Sequence, residues 1–245
     1  MSIWTKQWAI AMCWIGVGWG LLVAPGAIAQ DAWTRIPGEA RDIAVGADGT
    51  VWIARGDDGA AQWRTQDGAW HEIDGAADRI TVAADGTPWV IHDGAVYRLR
   101  GANWQRVPGE GRDIGAGPDG SVWVAGPDGN VLQWDEEGFG WQQRSGSAQH
   151  VAVAADGTPW AVNGGAVYRR RGDNWQRLPG EARDVGTGSG GSVWVVGPEN
   201  GVFQWQDDAY AWMRIEGRGQ RIAVAPDSTP WIVTEDNAIY RRVVN

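Results

Sequence analysis

Downstream of Asp42 the chain alternates apolar with small or polar residues in short runs. Asp42-Ile43-Ala44-Val45-Gly46 alternates, Ala47-Asp48-Gly49 marks a turn, and Thr50-Val51-Trp52-Ile53-Ala54 alternates again. Arg55 to Gly59 reads as a second turn, Ala60 to Arg64 as a third strand and Gln66-Asp67-Gly68 as a third turn. Ala69-Trp70-His71-Glu72-Ile73 is then a fourth strand. Runs of period two separated by Asp-Gly and Gly-rich turns are hairpin signals. No window carries apolar residues at helical spacing, so the pattern predicts an all-β domain.

The four-strand unit recurs. Trp33, Trp104 and Trp175 open longer copies, and Trp70, Trp141 and Trp212 open shorter ones, at intervals of 37, 34, 37, 34 and 37 residues. A long and a short half together make a 71-residue period written three times. Six four-stranded units predict a six-bladed β-propeller of antiparallel blades, a single domain over residues 30–245. The register also predicts how the ring closes. The chain enters on a fourth-type strand, Ala32 to Ile36, and leaves on a third-type strand, Ala238 to Arg242. The N-terminal strand is therefore expected to complete the last blade.

Three further patterns fit this geometry. A Trp recurs on every second strand (Trp52, Trp89, Trp123, Trp160, Trp194, Trp231), and Trp63, Trp134 and Trp205 alternate with Tyr97, Tyr168 and Tyr240 on the third. Large apolar groups at equivalent places are what neighbouring blades need between them. First strands carry Ile or Val on one face and Ala, Thr or Gly on the other, the small set being expected where six strands converge on an axis. Pro88, Pro159 and Pro230 precede second-strand tryptophans, where proline is tolerated as the first residue of a strand. Arg169-Arg170-Arg171 reads as the charged end of a solvated edge strand.

The first 29 residues read differently. Lys6, the apolar stretch Trp8 to Val23 and the Ala27-Ile28-Ala29 site predict a secretory signal peptide, with an uncleaved anchor as the alternative. A secreted or periplasmic domain follows from the first reading. Cys13 and Lys6, the only cysteine and the only lysine, lie in this leader. Without it the 21 basic residues become 20 arginines against 30 acids. Such a surface disfavours nucleic acid and anionic lipid.

The recurring W-x-R-[IVL]-P-G-x-[AG]-x-D-[IV] run and the A-x-D-G-T-P-W variant, which ends in [VI]-Y-R, resemble tectonin β-propeller repeats from Trp33 onward. Ser189-Gly190-Gly191, Asp227-Ser228 and Ser145-Gly146 depart from the usual turn residues. The resemblance implies a six-bladed propeller. It also implies a lectin that binds lipopolysaccharide or other surface glycans, O-methylated sugars among them.

Catalysis finds little footing. His71, His92 and His150 occupy unrelated repeat positions, no Ser-His-Asp or metal-ligand spacing recurs, and Asp57-Asp58-Gly59 is too short for a calcium loop. The expectation is a non-enzyme without cofactor or metal. Binding is better motivated. The long-half segments Pro37 to Asp42, Pro108 to Asp113 and Pro179 to Asp184 carry Glu39, Arg41 and Asp42, then Glu110, Arg112 and Asp113, then Glu181, Arg183 and Asp184. Paired hydrogen bonds from Arg and Asp can hold vicinal hydroxyls, or the same set can fasten neighbouring blades. The short halves show no such common set, and His92-Asp93, Asn163-Gly164 and Glu235-Asp236 are expected on the same face. Phe139 and Tyr210 stand where the first copy has Gly68, either as sugar platforms or packed on their own turns. The domain is expected to be monomeric. Two functions follow, a glycan-binding propeller with repeated weak sites or a protein-interaction scaffold with no sugar binding.

Overall fold

The computed structural model of the chain describes residues 32–64, 68 and 70–243, and from 57 to 64 the backbone only. The expected leader lies outside the described residues, as do the Trp63 side chain and most of the Gln66–Gly68 turn. The described residues form six four-stranded antiparallel sheets. Blades 1 to 5 occupy residues 42–77, 79–110, 113–147, 150–181 and 184–218. Blade 6 joins residues 221–242 to the strand Trp33–Glu39, which pairs with Ala238–Arg242 from Trp33 opposite Arg242 to Ile36 opposite Ile239. The predicted kind of fold, an all-β propeller of four-stranded antiparallel blades closed by its N-terminal strand, is what the chain adopts.

Among the described residues no single core holds the ring. Six apolar clusters lie between neighbouring blades, each drawing on both. Ile43, Val51 and Ile53 of blade 1 meet Ala223, Trp231 and Val233 of blade 6, while Ala44 and Trp52 on the opposite face meet Ile80, Val82 and Val90 of blade 2. The alternation along each inner strand therefore serves two neighbours. This corrects the reason for the small residues. They face the backbone of the next blade rather than the axis, and a Cβ on Gly115 would come within 2.6 Å of the Val151 carbonyl.

The seams are tied by tryptophan. The six second-strand tryptophans are buried. Each opening Trp donates its indole N–H to a fourth-strand carbonyl of the preceding blade: Trp33 to Glu216, Trp70 to Pro37, Trp104 to Asp74, Trp141 to Pro108, Trp175 to Ser145 and Trp212 to Pro179, at 2.6–3.0 Å. The carbonyl always precedes a glycine. At Gly75 the backbone has φ of +120°, and an added Cβ would lie 2.6 Å from Trp104. Only glycine suits both demands. This explains the Pro-Gly of the repeat: it is a bulge in the fourth strand, where the pairing register shifts between Ile36 and Glu39.

Two local expectations are corrected. The third strand of blade 1 begins at Gly56, taking in the predicted Arg55–Gly59 turn, with register shifts around Ala60. Arg169-Arg170-Arg171 ends an interior strand, paired on both sides, and not an edge. Arg169 lies over Trp160, and Arg170 lies over Trp123 of the preceding blade. Both guanidinium groups cover indole faces, a use suited to a planar cation.

Candidate functional site

The six innermost strands begin at Asp42, Arg79, Asp113, His150, Asp184 and Arg221. Acid and base thus alternate around one mouth of the channel, acids from the long halves and bases from the short ones. An innermost strand is a sheet edge, and its outward-facing N–H groups need acceptors. In the short-half blades a carboxylate supplies one. Asp42 Oδ2 accepts from Ile80 N at 2.9 Å, Asp113 Oδ2 from Val151 N at 2.8 Å and Asp184 Oδ2 from Ile222 N at 2.9 Å.

The bases lie beside the acids, and His150 bridges two of them. Arg79 Nε lies 3.4 Å from Asp113 Oδ1, and His150 Nδ1 lies 3.7 Å from Asp113 Oδ2 and 3.6 Å from Asp184 Oδ1. Arg221 Nη1 lies 3.7 Å from Asp184 Oδ1 and 3.5 Å from His150 Nδ1. The ring opens onto a channel cavity of about 80 Å³.

Chemically equivalent acids are held differently. Burial pushes Asp42 up to about 6, and the charges of Arg79 and Arg221 offset only part of that cost. Burial also acts on Asp113, but contact with His150, the charges of His150 and Arg79 and the Val151 N–H outweigh it, leaving its carboxyl below the usual range. Asp184 stays above that range through burial, despite Arg221 and His150. His150 is raised, its burial outweighed by Asp113 and then Asp184. The three-fold sequence pattern does not give three-fold electrostatics.

The predicted Glu-Arg-Asp sets are divided by the fold rather than assembled. Glu39, Glu110 and Glu181 end fourth strands and are exposed, and Arg41, Arg112 and Arg183 are exposed in the two-residue links that follow. Asp42, Asp113 and Asp184 begin inner strands and are buried. The aspartates fasten neighbouring blades, and the Glu and Arg side chains remain exposed at the mouth. The arginines also differ in surroundings. Arg41 Nη1 lies 3.8 Å from Asp78 Oδ1, and Arg183 Nη1 donates to Asn200 Oδ1 at 3.1 Å. Asn200 in turn donates to Glu235 at 2.6 Å.

Phe139 and Tyr210 sit on turns at φ of +46° and +49° and are 41% and 44% exposed. Each nonetheless packs edge-on against its own third-strand Trp, Phe139 on Trp134 and Tyr210 on Trp205, with centroids 5.3 Å apart in both. Both therefore lean on their own turns.

Sequence reasoning passed over Arg79, His150 and Arg221. They share one repeat position, but two are Arg and one is His, so the common property is charge and not identity. Reading the short halves by charge class would have found them. Nearby, Asp78, His92 and Asp93 bring one ligand atom each to within 4.8 Å of one another. His92 Nδ1 lies 3.2 Å from Asp78 Oδ2, and the Arg41 guanidinium beside Asp78 competes with any cation there.

The sequence pattern of the Tectonin domain matches residues 90–165 and 163–245. The chain belongs to the Tectonin domain family. No curated protein matches this Tectonin domain protein. Among solved structures it is similar to a gluconolactonase from Xanthomonas campestris, at 14% identity and a TM-score of 0.68, over 89% of this chain and 92% of that one. It is also similar to a streptogramin B lyase (12%, 0.63, over 89% and 100%) and to YCF48 bound to D1 peptide (18%, 0.56, over 90% and 99%). At such identities the likeness carries the fold alone.

Proposed function

We propose that this protein is a carbohydrate-binding propeller, acting outside the cytoplasm as a monomer. In this reading it recognises surface glycans or lipopolysaccharide, including O-methylated sugars, without catalysis. The observation that carries the reading is the recurrence of an exposed Glu and Arg, two positions apart, at three places spaced 71 residues from one another. Aspartates and tryptophans tie the blades, while these Glu and Arg side chains stay exposed at the same mouth, Arg41 beside Asp78 and Arg183 beside Asn200. A planar guanidinium beside a carboxylate offers donors and acceptors at the spacing of neighbouring hydroxyls. Each contact is weak. Three on one face raise avidity by roughly 10²–10⁴ on a surface that displays the sugar densely.

A glycan array including methylated sugars and lipopolysaccharides, followed by titration of Arg41→Ala, Arg112→Ala and Arg183→Ala singly and together, tests this. Binding is expected to weaken with each replacement. Undiminished binding by the triple variant removes these residues from the account. A blank array alongside capture of one protein ligand replaces the reading with the scaffold one.

A further inference from the structure

Blade 2 carries three side chains that the other short halves lack as a set. Asp78 stands in the link before its inner strand, His92 ends its second strand and Asp93 begins the turn to the third. At the equivalent positions blade 4 has Gln149, Asn163 and Gly164, and blade 6 has Gln220, Thr234 and Glu235. The turn itself asks only for an acceptor at the first of these positions. Asp78 Oδ2 accepts from Asp93 N at 3.1 Å, and Gln149 Oε1 accepts from Gly164 N at 2.8 Å. An amide thus serves as well as a carboxylate, and the turn calls for neither His92 nor the Asp93 side chain.

The imidazole stands between the two carboxylates. Its Nδ1 lies 3.2 Å from Asp78 Oδ2 and its Nε2 lies 3.6 Å from Asp93 Oδ2. The shorter approach is not a hydrogen bond, since Nδ1 is shielded from solvent and has no hydrogen-bond partner among the described residues. Buried polar atoms are ordinarily satisfied, so this one points to a partner of another kind. Two ligands of one tetrahedral ion, each about 2.0–2.1 Å from it, stand about 3.3 Å apart. The separation of Nδ1 from Asp78 Oδ2 is close to that length. One ligand atom from each of the three residues falls within 4.8 Å of the others, and Asp93 is 87% exposed on its turn. The Asp93 N–H meanwhile holds Asp78 Oδ2 in place, the support that metal-bound carboxylates commonly have.

The charges agree. Two carboxylates and a neutral imidazole offset a divalent ion. Arg41 is the opposing cation, but its Nη1 lies 3.8 Å from the other oxygen, Asp78 Oδ1, in a part-exposed and therefore weak pair. Arg79 turns its Nε to Asp113 and donates from Nη1 to the Asp78 carbonyl. We propose that Asp78, His92 and Asp93 bind one divalent first-row transition-metal ion, of which zinc is the probe. A nitrogen ligand beside two carboxylates favours such an ion over magnesium or calcium, which take oxygen. Three protein ligands leave one position open for water or an incoming oxygen. The site does not rest on the glycan reading, because none of its three ligands belongs to the repeated Glu and Arg pairs.

Calorimetric titration of the protein with zinc chloride tests this. One site per chain is expected, with Kd on the order of micromolar, weaker than a closed four-ligand site. Asp78→Gln and His92→Asn, which install the residues of blade 4, should each weaken zinc at least tenfold and leave the Tm in metal-free buffer unchanged. Arg41→Ala should tighten it several-fold. Equal concentrations of magnesium or calcium should not move the isotherm. In the parent itself, zinc should shift the ring resonances of His92 and spare those of His71 and His150, a readout that needs no variant to fold. A zinc Kd weaker than about 1 mM, an affinity unchanged by His92→Asn, shifts confined to the other histidines, or tighter binding of calcium than of zinc overturns the proposal.

Discussion

The tryptophan bonds at the blade seams and the charges at the channel mouth are both built by repetition, yet only the tryptophan bonds repeat in detail. At every seam an indole N–H reaches a carbonyl before a glycine, within 0.4 Å of one distance around the ring. At the mouth, three aspartates at one repeat position make the same backbone hydrogen bond and then diverge, Asp42 rising to about 6 while Asp113 falls. The difference is one of range. A seam contact is decided by atoms that touch, all supplied by the repeat. A buried charge is decided by every charge around it, so His150, standing where the other short halves have Arg, sets Asp113 and Asp184 apart from Asp42.

The largest expected effect lies in the seams. Trp104→Ala removes a packed indole and its bond to Asp74, and should cost about 3–5 kcal/mol in urea unfolding at any pH between 4 and 8. A loss below 1 kcal/mol would mean that the seams do not carry the ring.

The next effect has the opposite sign. Asp42 binds its proton more tightly folded than unfolded, so between about pH 4 and 6 the native state holds more protons and stability falls as pH rises. Asp42→Asn keeps an acceptor for Ile80 N and removes that cost. Stability at pH 7.5 should rise by up to about 3 kcal/mol, with the gain fading below pH 4. A loss at pH 7.5 would show that the ionised carboxylate is needed there.

The smallest effect sharpens the contrast. Asp113 has a depressed folded value, so its contribution is present above the unfolded carboxylate range and disappears as pH falls through the folded one. Asp113→Asn should lose about 1–2 kcal/mol at neutral pH and converge with the parent in acid. Parallel pH profiles for the Asp42 and Asp113 variants would erase the distinction between them.

Much of the seam was legible in the sequence because steric demands select residue types. Trp at six equivalent places, small residues opposite Ile or Val, and proline opening the second strands can each be read directly. The fourth-strand bulge was not, since Pro-Gly looks like a loop until Trp70 or Trp141 is seen against it. Arg169 and Arg170 were misread for a related reason: a run of charge resembles a solvated edge when the indoles beneath it belong to other stretches of chain. At the mouth the acids were visible and the bases were not, because Arg79, His150 and Arg221 agree only in charge. The candidate Glu-Arg-Asp set was legible as a set, but its division into exposed and buried members depends on where one strand ends and the next begins.

The pairing of Trp33–Glu39 with Ala238–Arg242 has a consequence in time. In a growing chain this strand emerges before any of blades 1 to 5 and meets its partner only after all of them are made. The contact spans about 200 residues, a loop closure that chain entropy opposes until the intervening blades shorten it. Folding should therefore run as a progression of neighbouring blades and end in one ring-closing event. Until then the outer edge of the last blade stands open to strand pairing from elsewhere.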